Sequence, residues 1–312
     1  MGTSSIDQHF VNQYSANIFH LSQQKGSKLA GLVRNESQKA ESAFYDRLGQ
    51  SEALTKTTRH GDTPLIEVEH SRRRVTMVDK EWATLLDDQD KIRMLNDPTS
   101  EYAQNAMWSL GRAKDREIID QALGTAYSGK AGATSVVMPN SQKLASVASS
   151  AGSGVNVQAL RRIKKKFADN NVDEGMGLNA VLDPKAIYDD LLAETEISSA
   201  DFNTVKALAA GEIDTFMGFK FTSIAGLLNV QSGALAFNQT TGAVGSGSGD
   251  ADTYRRGIFF QREGLLLATG MEVKGRISER DDKSYSTQVY ASLSMGATRM
   301  EEEKVVELLY VA

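Results

Sequence analysis

The sequence of 312 residues contains no cysteine and only four histidines. Without cysteine the chain cannot form disulfides, thiolate metal sites, iron–sulfur clusters or a thiol nucleophile. The chain also lacks a phosphate-binding P-loop, a dinucleotide-binding glycine motif and a Gly-x-Ser-x-Gly nucleophile turn. We therefore expect no enzyme activity, no catalytic residue, no cofactor and no metal. The histidines have no metal-ligand spacing and stand in the N-terminal part of the chain, at His9, His20, His60 and His70.

Long apolar runs are also missing. None approaches the roughly 18 residues that a bilayer span requires, so we expect no membrane partner. Lys and Arg number 35 and Asp and Glu number 40, which gives a net charge of −5. This balance does not suit a general nucleic-acid coat, so any contact with DNA should be weak and non-specific. The N-terminus lacks the basic and apolar blocks of a signal peptide, which favours synthesis in the cytoplasm.

The first 84 residues hold too few apolar side chains to build a core. We interpret residues 1–50 as an extended arm in which Arg34–Leu48 has helical spacing of its apolar residues. Residues 51–84 then form an extended loop, with strand-like segments at Leu65–His70 and Val75–Val78. Between these segments lie Arg72, Arg73 and Arg74, which the pattern places at a basic tip. The alternatives are contact with another subunit and a merely solvated tip; guanidinium groups suit carboxylates of a partner, which favours the first.

The clearest helix covers residues 97–124. Asp97 is a good N-cap, Pro98 suits the first helical position, and Gly124 is a plausible end. One stripe of small and apolar residues should pack against other elements along this helix. That stripe consists of Ala103, Ala106, Met107, Leu110 and Ala113.

The remaining chain predicts mixed helix and strand. Within residues 151–270 we expect a helix over Val157–Phe167 and a buried strand over Leu178–Leu182. The basic cluster Arg161–Lys166 is either a phosphate contact or a solvated helix face, and the second is the commoner case. At the C-terminus, alternating apolar residues at Val289–Met295 and the run Val305–Val311 predict a hairpin.

Several motifs occur in an order that resembles one protein family. The segment Trp82–Pro98 leads into the long helix, and the helix continues the resemblance with short motifs along its length. A glycine turn and a C-terminal glycine follow. The motifs are Tyr102-Ala103, Gly111-Arg112, Asp115, Ile118-Ile119, Ala122-Leu123-Gly124, Gly218-Phe219-Lys220-Phe221 and Gly296. In this order the chain resembles the major capsid proteins of tailed bacteriophages, which have the Hong Kong 97-type fold.

The resemblance implies an α+β chain with an N-terminal arm (1–50), an extended loop (51–84), a peripheral domain (85–150 and 271–312) and an axial domain (151–270). The long helix would be the spine of the peripheral domain. It further implies self-assembly of hexamers and pentamers into an icosahedral virion shell around double-stranded DNA. Portal, scaffolding and decoration proteins are the implied partners.

Two other classes compete with this interpretation. A minor or decoration virion protein would also lack reactive groups, but such proteins tend to lack the long helix and the three-part layout. A hydrolase or oxidoreductase with an unrecognised site would need convergent reactive residues, which the sequence does not provide.

Overall fold

The computed structural model describes residues 22–56, 58–59, 63, 65–87, 99–146, 154–191, 215–226 and 254–311. Contacts divide the chain into two compact units. The first unit contains Met1–Ser27, Asp79–Lys114 and Met271–Ser294. The second unit contains Lys28–Val78, Asp115–Gly270 and Met295–Ala312. The arm, loop, peripheral and axial boundaries stay a prediction, because contacts within one chain do not show how subunits are arranged in a shell.

The first unit contains parts of two long, neighbouring strands. There β13 (Ser286–Arg299) lies between β12 (Leu265–Arg280) and β4 (Val78–Leu86). Alternate residues of β4 are less and more exposed, as expected for a strand with one face against other elements. The hydroxyl of Tyr290 on β13 donates to the carboxylate of Glu81 on β4 at 3.1 Å.

The long helix is confirmed as α1 (Thr99–Leu123), which has 25 residues and is about 37 Å long at 1.5 Å per residue. Asp97 and Pro98 lie outside the described residues. Of the predicted stripe, Ala106 and Leu110 are buried, whereas Ala103 and Ala113 are half-buried. The prediction that Met107 packs within this stripe is wrong, since its side chain is 46% exposed. Successive helix residues turn by about 100°, which puts Met107 at the edge of the stripe.

A glycine on α1 allows a very close backbone approach. A Cβ at Gly111 would lie 2.6 Å from main-chain atoms of Gly26, so a larger residue would have to push this segment away. The guanidinium of Arg112 holds the same segment by donating to the carbonyl of Gln24 at 3.1 Å. Residues 22–27 are thereby fastened to α1 within the first unit.

A six-stranded sheet forms the core of the second unit. Its strands are, in spatial order, β7 (Lys143–Ala145), β14 (Val305–Val311), β11 (Tyr254–Gln261), β8 (Leu178–Leu182), β10 (Phe219–Ser223) and β9 (Thr215–Phe216). The predicted strand at 178–182 is therefore confirmed. Helix α2 (Val157–Asp169), also predicted, contributes Ile163 and Phe167 to the apolar core of the sheet. The rings of Phe219 and Phe259 meet edge to face in this core, with centroids 5.3 Å apart.

The prediction that the two C-terminal strands pair as a hairpin is wrong, although both segments are strands. Strand β14 does not pair with β13; it pairs antiparallel with β11, from Tyr254 opposite Val311 to Phe260 opposite Val305, and parallel with β7. Residues 305–310 are buried at every position, which is typical of a central strand covered on both faces. The run at 305–311 was the sign of such a strand, since it is apolar at every position except Glu307 and does not alternate as a strand with one solvent-facing side does.

A further sheet of the second unit corrects two expectations. Its order is β2 (Ser42–Leu48), β3 (His70–Thr76), β5 (Ala126–Ser128) and β6 (Thr134–Val136). Residues 34–48 are therefore not helical: they form β2 and β1 (Arg34–Ser37), which pairs parallel with the beginning of β12. Pairing with distant strands outweighs the local helical spacing. Arg72, Arg73 and Arg74 lie inside β3 and not at a tip between two strands.

Leu110 and Met107 provide a matched test of the α1 stripe. Replacing Leu110, which is 3% exposed, with Arg would bury an unpaired charge and should lower the free energy of unfolding by about 4 kcal/mol or more. Met107→Arg should cost no more than about 1 kcal/mol, because its side chain already reaches solvent. Denaturant unfolding of the free subunits measures both. Equal losses in the two variants would contradict the assigned stripe.

Candidate functional site: a two-stranded ribbon and its buried anchor

We call strands β2 and β3, together with the described residues among 49–69, the ribbon. The strands pair antiparallel from Ser42 opposite Thr76 to Leu48 opposite His70. One further bond, from Gly49 N to Glu69 O at 2.7 Å, continues the ladder. Side chains alternate along β3, so neighbouring arginines of the triplet point to opposite faces.

Arg73 is fully buried at the base of the ribbon. Its guanidinium donates two bonds to the carboxylate of Glu302, at 2.5 and 2.7 Å, and its Nε donates to Met300 O at 3.2 Å. Burial lowers the pKa of Arg73 from its ordinary value, and the Glu302 carboxylate opposes that effect. Both bonds come from Nη2, so one guanidinium nitrogen of Arg73 contacts both carboxylate oxygens in a charge-assisted contact.

Arg47 attaches the other strand of the ribbon to the same segment. Its Nη1 donates to Met300 O at 2.6 Å and lies 3.6 Å from Glu302. Its Nε donates to the hydroxyl of Ser71 on β3 at 2.6 Å. Both strands of the ribbon are thus fastened to the short connection between β13 and β14.

A third arginine connects this segment to the end of α1. Arg299 is buried and donates to Ala122 O at 2.8 Å, Gly124 O at 3.0 Å and Val136 O at 3.1 Å. A cation at the C-terminal end of a helix is favourable because the last carbonyls lack helical partners. The Nε of Arg299 lies 3.4 Å from Glu302. Burial lowers the pKa of Arg299 as well, again opposed by Glu302.

We call Arg47, Arg73, Arg299 and Glu302 the arginine anchor. Three guanidinium groups surround one carboxylate, and the other acceptors are main-chain carbonyls of the second unit and the hydroxyl of Ser71. An isolated buried charge is very unfavourable, so each member depends on its partners. The anchor therefore joins the ribbon, the β13–β14 connection and the end of α1 through charge-assisted hydrogen bonds.

The other two arginines of the triplet lie on the opposite face of the ribbon. Arg72 pairs with Asp46 at 3.2 Å, and its guanidinium carbon lies 5.7 Å from the ring centroid of Phe44. Arg74 stacks over Tyr127 at 4.9 Å. Both residues are therefore occupied within their own chain, in the partly exposed surface of the sheet.

Beyond its base, the ribbon carries exposed apolar side chains. Leu65 is 92% exposed. Leu54 and Ile66 are also exposed on this connecting segment, and Leu48 is exposed at the end of β2. Such side chains gain free energy when another surface covers them.

Comparison with known families identifies the chain. A family model described as phage capsid protein matches residues 6–312. The chain belongs to the phage capsid protein family. A search of curated protein sequences gives no significant match.

Solved capsid structures share the fold of this capsid protein. The capsid structure of the cyanophage P-SCSP1u has a TM-score of 0.73 at 17% identity, covering 99% of this chain and 95% of that one. The capsid of Helicobacter pylori bacteriophage KHP30 has a TM-score of 0.70 at 12% identity, covering 100% and 98%. The cyanophage Pam1 capsid has a TM-score of 0.68 at 14% identity, covering 98% and 97%.

These comparisons confirm the expected α+β class, the Hong Kong 97-type fold and the function of a major capsid protein. The family is one of structural proteins of the virion. None of the helices in the described ranges is long and apolar enough to cross a bilayer.

The capsid protein differs from the sequence-based site in one important respect. The pattern placed Arg72, Arg73 and Arg74 at a basic tip, either solvated or facing another subunit, and for Arg73 this position is wrong, because it is a buried partner of Glu302 in its own chain. Contact of the triplet with a neighbouring subunit stays a prediction. Arg47, Arg299 and Glu302 were not predicted, because no local pattern connects positions such as Arg73 and Glu302, which are 229 residues apart.

Arg73 and Arg72 provide a second matched test. Arg73→Met would leave Glu302 without its main partner and should lower the free energy of unfolding by about 3–5 kcal/mol. Arg72→Met removes only an exposed ion pair and should cost about 0–1 kcal/mol. Denaturant unfolding of free subunits distinguishes the two variants. If Arg73→Met is as stable as the wild type, the anchor does not hold the ribbon.

Proposed function

We propose that this capsid protein assembles with copies of itself, as hexamers and pentamers, into the icosahedral shell that encloses a double-stranded DNA genome. In this proposal the ribbon of one subunit lies on a neighbouring subunit. The observation that carries it is the exposure of Leu48, Leu54, Leu65 and Ile66, at the end of β2 and in the connection between β2 and β3. A contact between unlike surfaces of identical chains forms a ring where the rotation between copies closes, and such rings are the units of a shell.

The ribbon suits this role because its two parts differ. Its base is paired over seven residues of each strand and is attached to the subunit by the arginine anchor. Its distal part, the described residues among 50–68, carries the exposed side chains of Leu54, Leu65 and Ile66. A rigid base with an apolar end can present that end to a neighbour at a defined angle and bury it there.

Besides the exposed apolar side chains of the ribbon, which belongs to the second unit, the chain has another apolar surface in the first unit. A groove of about 380 Å³ lies between α1 and the strands β12 and β13, with Ala106, Met107, Ile277, Val289 and Ala291 among its lining residues. Coverage of such surfaces by other copies would add hydrophobic stabilisation to the shell. This supports assembly as the state in which the chain buries its remaining apolar area.

The proposal extends to the other expected partners. The shell would contain a portal and would be assembled in the host cytoplasm, with scaffolding or decoration proteins as further partners. It includes no enzyme activity and no cofactor. In the described ranges, no observation favours a minor or decoration virion protein, a hydrolase or an oxidoreductase.

Substitutions on the ribbon test the proposed contact. Leu54→Glu combined with Leu65→Glu should leave the free subunit folded, because both side chains are exposed, and should abolish or strongly reduce shell formation. Val137→Glu is the control, since Val137 is an exposed apolar residue outside the ribbon. Negative-stain microscopy and sedimentation report shells, and circular dichroism reports folding. Normal shells from the double variant would show that the ribbon does not make the contact.

Contact of the subunit with DNA should depend only on the attraction between its basic side chains and the phosphates, and we place this contact at helix α2. Helix α2 exposes Arg161 and Lys165, while Ile163 and Phe167 point into the core. We expect binding to duplex DNA to be weak, with Kd in the range of about 10⁻⁴–10⁻⁶ M at physiological salt, and without sequence preference.

A salt titration of DNA binding measures this contact. Arg161→Gln with Lys165→Gln should weaken binding and reduce its salt dependence. Lys56→Gln with Lys130→Gln changes the net charge equally and should have a smaller effect. A clear preference for one DNA sequence, or equal losses in the two double variants, would contradict the assignment of α2 as the contact.

A further inference from the structure

The arginine anchor has two sides that meet at one carboxylate. On the ribbon side, Arg73 and Arg47 donate to Glu302 or to Met300 O. On the helix side, Arg299 donates to carbonyls at the end of α1 and on β6. Glu302 lies within 4 Å of all three guanidinium groups, at 2.5, 3.6 and 3.4 Å.

The two sides make different hydrogen bonds. Those of Arg73 go to the β13–β14 connection, at Met300 and Glu302. Those of Arg299 go to Ala122, Gly124 and Val136 as well as toward Glu302. The position of Glu302 is therefore set jointly by the ribbon and by the helix end, and a shift of either group changes the contact of the other.

The charges make this dependence strong. Three cations and one anion are partly or fully desolvated, so the carboxylate cannot leave one guanidinium without exposing a buried cation to an apolar surrounding. An arrangement of this kind responds as a unit, in the way that groups of one network show non-additive effects.

We propose that Glu302 is a positioning residue that sets the direction of the ribbon and couples it to the C-terminal end of α1. The inference rests on the proposed function in that the ribbon is the element that contacts a neighbour. A neighbour that bends the ribbon pulls on Arg73 and Arg47, Glu302 follows, and the hold of Arg299 on the helix end weakens. Contact at one subunit is thereby transmitted to the helix end of that subunit.

Hydrogen exchange of the free, full-length subunit tests the coupling. Wild type, Glu302→Gln, Arg73→Gln and Glu303→Gln are compared at the ribbon base (42–48 and 70–76) and at the helix end (119–126). Glu302→Gln should raise exchange at both places by about tenfold or more, the change expected when a charged hydrogen bond is lost. Glu303→Gln, a neighbouring exposed carboxylate, should change neither place.

Arg73→Gln is the decisive variant. Its side chain bonds to the β13–β14 connection and not to α1, so a merely structural role would loosen the ribbon base alone. Coupling through Glu302 predicts faster exchange at 119–126 as well. Exchange that rises at 42–48 and 70–76 while the helix end stays unchanged would overturn the proposal, as would unchanged exchange at both places in Glu302→Gln.

Two further measurements keep these outcomes interpretable. If circular dichroism shows that Glu302→Gln does not fold, Glu302→Asp replaces it, because the shorter carboxylate keeps the charge and loses the simultaneous contacts. Shell formation by the wild type is scored separately. If exchange is coupled but the wild type forms no shells, the proposed function is rejected and the coupling stands. If shells form without coupled exchange, the coupling is rejected and the proposed function stands.

Discussion

Glu302 is the interaction centre on which the organisation of the second unit depends. Its carboxylate holds two arginines of the ribbon and approaches a third at the end of α1. Guanidinium groups lose hydration when they are buried, and a single carboxylate offsets only part of that loss. Main-chain carbonyls of Met300, Ala122, Gly124 and Val136 accept further hydrogen bonds, while the buried Nη1 of Arg73 has no partner among the described residues.

This arrangement explains how strands β2 and β3 are held to the rest of the second unit. An isolated ribbon of this kind is marginal in water, because it buries little apolar surface. Here β3 also pairs with β5, and both strands are attached to the β13–β14 connection. The base is therefore part of the core of the subunit, while the exposed apolar side chains lie further along. In the proposed contact between subunits, the ordered base would hold these apolar side chains where a neighbour can bury them.

The elements that the sequence predicted correctly are those specified by neighbouring residues. Helix α1 has a continuous stripe of small residues, and α2 buries Ile163 and Phe167 at a spacing of four. The short strand 178–182 is apolar at four of its five positions, as a central strand must be. Gly111 belonged to the motifs that resemble the family, and its contact with Gly26 gives the physical reason, since a side chain there would collide with backbone.

The sequence by itself thus determined the fold family, the long helix and the absence of thiol chemistry, because motif order, helical periodicity and composition are local or global properties of the chain. Only the tertiary structure decided that residues 34–48 are strands, that β14 is the partner of β11, and that Arg73 is an internal anchor. Each of these depends on residues outside the local sequence, since Leu48 pairs with His70, Phe260 with Val305, and Arg73 with Glu302. Strand pairing and buried ion pairs are formed between distant segments, and a side chain such as Arg73 has the same local sequence whether its partner is Glu302 or a neighbouring subunit.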